Sequence, residues 1–407
     1  MPAHVVVGLH YGDEGKGKIV DHYVARMRDE ETPCRIVGRY NGGSNAGHTV
    51  KVNGVTYKFN QIPSGILHPK VISVIGCGTV VNPSELVQEI ERLKSAGIEV
   101  SPENLRVSYR AHVITPECIE EDRVSGSRIE TTRKGIGPTY ARKALRTGMR
   151  MEDFCRANSN EAKLLKPYVA DAEDLVIETL EAGDFVLAEG AQATFLDIDF
   201  GNYPFVTSSH AVAGGACVGL GIPPTEIPEI IGVAKICMSR VGEGPFPTEM
   251  GDYGRMKKDP LELLDEDGRY WEMTPEEKAL AGKDDYQTAR SLRRRGMEWG
   301  TMTRRPRRLG WPDLVLTRKA ARINGITQLA ITKVDVFNGI PVKVRIGGSD
   351  ESPEYSERVY RWDSIIDGSR DLHDELAEFL DDLQNFVGTN VSIVSYGPSR
   401  EETIPIY

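Results

Sequence analysis

The chain has no apolar run approaching the ~20 residues that cross a bilayer, so a transmembrane helix is not expected. It has no excess of positive charge. Lys and Arg number 50 against 60 Asp and Glu, a net charge of -10, which argues against general binding to nucleic acid or to an anionic membrane. It has no C-x-x-C pair: Cys34, Cys77, Cys118, Cys155, Cys217 and Cys237 are scattered and read as buried or free thiols of a reducing compartment. Nor does a signal peptide precede the first apolar stretch, so a cytoplasmic location is the expectation. With 407 residues, 40% hydrophobic and 27% charged, the chain has ample material for a globular core, either as two domains or as one large α/β domain with insertions.

What is present is concentrated near the N-terminus. His4-Val5-Val6-Val7 is short, apolar and β-branched, and reads as a buried strand. Gly8-Leu9-His10-Tyr11-Gly12-Asp13-Glu14-Gly15-Lys16-Gly17-Lys18 follows, and Ile19 to Met27 then has the apolar spacing of a helix. Strand, glycine-rich turn and helix make a phosphate cradle, because glycines let backbone N–H groups converge on an anion at a helix start. Gly12 to Lys18 has the spacing G-x-x-x-x-G-K, but Ile19 stands where a metal-binding Ser or Thr is usual, and a carboxylate, Asp13, lies inside the loop.

Strands and helices alternate onward. Arg35 to Gly38 reads as a strand leading to the Gly- and Asn-rich loop Arg39 to Thr49. A hairpin is expected from Val50–Val52 to Val55–Phe59 across Asn53-Gly54, a strong turn dipeptide. Val71 to Gly76 is another strand, and Ser84 is expected to cap a helix that presents Leu86, Val87, Ile90 and Leu93 and stops at Gly97. Such alternation predicts a mostly parallel central sheet with flanking helices, its ligands beyond the carboxyl ends of the strands. Both Gly-rich loops then face one site. There His48 suits a general acid, the Gly47 carbonyl suits Mg²⁺, and Asp13 suits a base or a metal ligand.

Further along, Ile129 to Pro138 mixes hydroxyls, bases and glycines. Arg142, Lys143, Arg146 and Arg150 have helical spacing, and the plain reading is a solvated basic face. Phe185 to Glu189 is a strand ending near Gln192, whose amide suits a base edge; Ile230 to Ile236 is another. Residues 251–296 are dense in charge and read as a surface insertion. Arg304-Arg305-Pro306-Arg307-Arg308 suits small carboxylates or phosphates, which arginine grips bidentately. Leu329 to Asp335 is a strand running into Thr332-Lys333-Val334-Asp335, whose carboxylate can accept the paired donors of guanine and so select GTP over ATP. A last helix carries Leu372, Leu376, Leu380 and Leu383 to Gly388, and the strand Val391 to Val394 leads to Ser395-Tyr396-Gly397-Pro398.

Gly12 to Lys18, Asn45-Ala46-Gly47-His48-Thr49, Gly135-Ile136-Gly137-Pro138, Glu189-Gly190-Ala191-Gln192, Gly244-Pro245-Phe246-Pro247-Thr248-Glu249, Arg305 to Arg308 and Thr332 to Asp335 together resemble adenylosuccinate synthetase, in order from about residue 4 to 404. The resemblance implies one domain over 1–407 and the reaction GTP + IMP + L-aspartate → GDP + phosphate + adenylosuccinate, with Mg²⁺ in each subunit of a homodimer. Asp13, Lys16, His48 and Gln192 would be catalytic, and Asp13 and Gly47 would hold the metal. GTP would meet Gly12, Glu14, Gly15, Lys16, Gly17, Lys18, Gly47, His48, Thr49, Lys333, Asp335, Ser395 and Gly397. IMP would meet Asp13, Asn45, Thr132, Gln192, Thr207 and Arg305, with Arg146 reaching over from the other subunit. Thr303, Arg305 and Arg307 would hold the amino acid's carboxylates.

Some positions depart from the family pattern. His10-Tyr11 replaces Gln-Trp, Glu130 and Arg133 replace glycines, Met302 replaces Thr, and Arg304 replaces Gly. These bear on the substrate. A phage sibling group acts on (d)GMP, often lacks the loop carboxylate and in part uses ATP, whereas this chain keeps Asp13 and Thr332 to Asp335. A third reading is a GTP-binding regulatory protein in which His48 and the arginine loop are idle.

Overall fold

A computed structural model describes residues 3–27, 33–126, 131–264, 272–300, 305–366 and 371–406. Glu130 and the loop carrying Met302, Thr303 and Arg304 lie outside the described residues. Among the described residues, ten strands form the main sheet. In chain order they are β1 (Ala3–Gly8), β2 (Cys34–Arg39), β3 (Ile72–Ile75), β4 (Leu105–Ser108), β5 (Val169–Ala170), β6 (Phe185–Glu189), β7 (Glu229–Lys235), β8 (Gln328–Thr332), β9 (Val391–Ser395) and β10 (Thr403–Pro405). Across the sheet they run β10-β9-β8-β7-β1-β6-β2-β3-β4-β5. Every pairing is parallel except β9 with β10. The expected mostly parallel α/β sheet is therefore what forms.

The reason is burial on both faces. All six residues of β1 are buried, as are all five of β6, so neither strand offers a solvent face. Helices α1 (Lys16–Arg26), α2 (Pro83–Ser95), α4 (Asp285–Arg295), α5 (Leu314–Asn324) and α6 (Asp374–Val387) share apolar clusters with the sheet's strands, whereas α3 (Ile136–Leu145) packs in a small separate one; all lie between the strands in sequence. The hairpin His48–Val52 with Val55–Phe59 turns at Asn53-Gly54, both with positive φ, as the dipeptide predicted. No described helix is long and apolar enough to cross a membrane.

Local readings needed correction in several places. Asn82, not Ser84, caps α2: its side chain accepts the Glu85 N–H at 3.2 Å, and Pro83 fills the first helical position, where a missing N–H costs nothing. Leu372 precedes α6, although Leu376, Leu380 and Leu383 are buried on it as expected. Helix α3 ends at Leu145, and Arg146 is a left-handed cap (φ 63°), so Arg146 and Arg150 do not continue a basic helical face. The charged stretch 251–296 is not all surface. Within it α4 buries Ala289 and Leu292 in the main core, and Glu262, fully buried, accepts from Arg290 at 2.9 Å and Arg293 at 2.6 Å. A charge-rich sequence can go inside when its carboxylates and guanidinium groups are paired.

Candidate active site

Because β1, β2, β6, β7, β8 and β9 are parallel, their carboxyl ends share one edge of the sheet, and the loops after them converge there. The loop after β1 is shaped by Glu14. This carboxylate is fully buried and accepts from Gly12 N–H at 2.7 Å, His10 N–H at 3.3 Å and Lys16 Nζ at 2.7 Å. Gly12 (φ 92°) and Gly15 (φ 89°) take left-handed backbone, and so does Asp13 (φ 60°), a conformation that costs an L-residue ~1–2 kcal/mol. Thr332, at the end of β8, donates its hydroxyl to the Glu14 carbonyl at 2.6 Å. The phosphate-type loop and the Thr332 to Asp335 motif are thus joined directly.

The second loop lies against the first turn of α1. A Cβ on Gly17 would stand 2.8 Å from the His48 Cβ, so only glycine permits this approach. His48 is buried, and its Nδ1 meets Glu189 at the end of β6. Glu189 also accepts from Arg39 at 2.9 Å, from Ser64 N–H at 2.8 Å and from the Ser64 hydroxyl at 3.0 Å. Burial pushes the Glu189 carboxyl up, but Arg39 and His48 outweigh it and hold it down at about 2. Burial, then Arg39, lowers the His48 pKa, against the opposing pull of Glu189. The Glu189 contact orients the imidazole through Nδ1 and leaves Nε2 as the ring nitrogen it does not hold. Gly47, next door, is exposed, with nothing within 4 Å of where a Cβ would sit.

Four of the residues expected around a purine nucleotide are on neighbouring loops. Asn45 accepts the Gly43 N–H at 3.1 Å. Gln192, in left-handed backbone (φ 58°), lies beside Gly42, whose Cβ would be 2.9 Å from its Oε1, a buried oxygen without a partner among the described residues. Thr207 donates its N–H to Leu196 at 2.7 Å, and Leu196 in turn lies 3.6 Å from where a Cβ on Gly12 would be. Thr132 is exposed on a loop that Lys134 fastens to the Ser44 carbonyl at 3.0 Å. Arg146 is exposed, and among the described residues it has no side-chain hydrogen bond or ion pair to these loops.

The arginine loop completes the set. Arg307 is buried and divides its guanidinium between Asp13 at 2.9 Å and Glu298 at 2.8 Å. Arg305 is exposed, and its carbonyl accepts the Gly300 N–H at 2.8 Å. Lys333 (φ 57°) directs its ammonium to the Gly296 carbonyl at 2.6 Å and to Glu298. Asp335 accepts the Gly397 N–H at 3.1 Å, which ties that motif to the loop after buried Ser395.

Lys18 behaves differently from a phosphate ligand. Its ammonium donates to the carbonyls of Tyr396 at 2.9 Å, Gly397 at 3.1 Å and Glu402 at 2.9 Å, while burial pulls its pKa down to about 8. One turn on, buried Asp21 holds Arg400 at 2.6 and 2.7 Å. Helix α1 therefore anchors the loop expected to cover guanine. Thr49 is exposed at the start of the hairpin, and Lys16 stays with Glu14. Glu189 was named from sequence only within the Glu189-Gly190-Ala191-Gln192 motif, without a role, and Glu298 and Lys235 were not singled out. A carboxylate ending the otherwise apolar Phe185 to Ala188 was the available signal for Glu189; Glu298 had none.

The family model described as adenylosuccinate synthetase matches residues 5–166 and 157–404. The chain belongs to the adenylosuccinate synthetase family. It is 40% identical to the adenylosuccinate synthetase of Caldanaerobacter subterraneus subsp. tengcongensis, with 99% of each chain covered. The Desulforudis audaxviator synthetase is 40% identical over 100% of this chain and 98% of its own length. Among solved structures, the fully ligated adenylosuccinate synthetase of Plasmodium falciparum superposes with a TM-score of 0.81 at 27% identity, covering 100% of both chains. The succinoaminodeoxyadenylate synthetase (PurZ) of cyanophage S-2L, bound to dGMP and dATP, shares the fold with a TM-score of 0.67 at 19% identity, covering 99% of this chain and 95% of its own.

Proposed function

We propose that this adenylosuccinate synthetase family member joins L-aspartate to IMP at the expense of GTP, and that Asp13 is its base. The observation that carries the reading is the buried Arg307 bridging Asp13 and Glu298, because it puts a carboxylate clamp beside the carboxylate of the phosphate loop. Asp13 takes the proton from purine N1. The O6 atom attacks the γ-phosphorus in line, and GDP leaves with the bridging electron pair, giving a 6-phosphoryl purine. The amine of aspartate then attacks C6, and phosphate departs. His48 and Lys16 offset charge on the transferred phosphoryl group. Gln192 and Asn45, with Thr132 and Thr207, hold the nucleotide; Thr303, Arg305 and Arg307 hold the amino acid; Asp335, with Lys333, Ser395 and Gly397, reads guanine.

The donor set suits Mg²⁺: Asp13 would offer a carboxylate oxygen and Gly47, an exposed residue, its carbonyl, both hard ligands. Held there, the ion would supply positive charge to offset that of the nucleotide's phosphates. We further read the protein as a cytoplasmic homodimer in which Arg146, exposed at the end of α3, serves the neighbouring subunit's 5′-phosphate.

The test is a parallel assay of IMP, GMP and dGMP, each with GTP and aspartate, following GDP release and the ligated product. Turnover confined to IMP, and lost in Asp13→Asn, is the expected result. Turnover with dGMP or GMP but not IMP would transfer the assignment to the phage-type activity. GTP hydrolysis indifferent to aspartate would point to a regulatory GTP-binding protein.

A further inference from the structure

Glu298 lies just beyond α4, is almost fully buried, and belongs to none of the motifs that carry the family resemblance. Its carboxylate accepts from three cations brought in by three separate segments. Lys235, the last residue of β7, donates to Oε1 at 3.0 Å and to Oε2 at 3.1 Å; Arg307 donates to Oε2 at 2.8 Å; Lys333, the residue after β8, donates to Oε1. The backbone reinforces the pairing, since the Arg307 N–H donates to the Glu298 carbonyl at 2.9 Å. Burial pushes the Glu298 carboxyl up, but the three cations hold it well below the ordinary glutamate range.

A buried cation needs a fixed counter-charge, or it moves to find one. Here one carboxylate performs that task for two residues with different expected ligands. Arg307 faces the amino acid and Lys333 faces guanine. With Glu298 on one branch and Asp13 on the other, the Arg307 guanidinium plane is fixed at both ends. Lys333 is in left-handed backbone, where its reach is set by the two acceptors it finds, Gly296 and Glu298.

We propose that Glu298 is a positioning residue that sets the amino-acid clamp and the guanine-side lysine together, coupling the two ends of the site through one carboxylate. The ligand identities rest on the reading above; the hub itself does not. Glu298→Gln keeps the shape, removes the charge and turns an amide N–H₂ toward cations. Arg307 and Lys333 then repel each other with less compensation and drift.

The experiment measures KM for aspartate, GTP and IMP, with kcat and the melting temperature, in wild type, Glu298→Gln and Glu298→Asp. The expected result in Glu298→Gln is a rise of about tenfold or more in KM for aspartate and of several-fold in KM for GTP, the loss of one charge-assisted contact at each end. KM for IMP stays within about twofold, and Glu298→Asp, which keeps the charge, recovers part of both effects. A lowered melting temperature with all three KM values unchanged overturns the proposal, as does an equal rise in all three. If Glu298→Gln does not fold, Glu298→Asp decides by the same comparison: unshifted aspartate and GTP values refute the coupling. A wild-type protein inactive with these substrates refutes the functional reading instead, and the same variants are then compared on whichever nucleotide and amino acid it turns over.

Discussion

Replacing Asp335 by Asn is the sharpest probe of nucleotide choice. Oδ1 of Asp335 is engaged by the Gly397 N–H at 3.1 Å, and an asparagine oxygen can keep that bond. The loop after β9 therefore stays in place, helped by the three Lys18 contacts. What changes is the other position, where a carboxylate oxygen becomes an N–H₂. Guanine presents two donors, N1–H and the 2-amino group, and would then face one acceptor and one donor. Losing a charged hydrogen bond and opposing two donors costs about 3 kcal/mol, or roughly 100-fold in kcat/KM for GTP. ATP never made that donor pair, so its kcat/KM should hold or rise. The GTP-to-ATP ratio should fall by about two orders of magnitude. Initial rates with each nucleotide, at saturating IMP and aspartate, measure it. An unchanged ratio in a folded variant, or an equal loss for both nucleotides, would show that Asp335 only braces the Gly397 loop.

Two more perturbations test the other loops. Gly17→Ala in α1 should gain up to ~1 kcal/mol from helix propensity, but its Cβ would sit 2.8 Å from His48 and 3.0 Å from Ser64, and overpacking of that kind costs about 1–3 kcal/mol. A net loss of melting temperature and a fall of at least about tenfold in kcat are expected; a stabilised, fully active variant would mean the loops are not pressed together. Glu189→Gln removes the one influence raising the His48 pKa while burial and Arg39 continue to lower it, so the imidazolium retreats to lower pH. If His48 acts in its protonated form, the alkaline limb of the pH–rate profile moves down and the rate at neutral pH falls roughly 10–100-fold; an unmoved limb would remove Glu189 from that role.

Much of the protein was written in local chemistry. The strand, Gly-rich turn and helix at Ala3 to Arg26, the hairpin at Asn53-Gly54 and the alternation that builds the sheet each follow from glycine's positive φ, apolar period and turn residues within a short window. The motifs from Gly12 to Asp335 could be read in order because each is contiguous. What no window contains is the pairing of Asp13 with Arg307, of His48 with Glu189, or of Lys333 with Glu298. Lys18 was legible as part of the loop, but not as the latch on Tyr396, Gly397 and Glu402. Those choices were made by strand order, because placing β1 between β6 and β7, with β8 alongside, brings distant loop ends within hydrogen-bond reach. Where those charges are buried, they depend on the partners the sheet delivers.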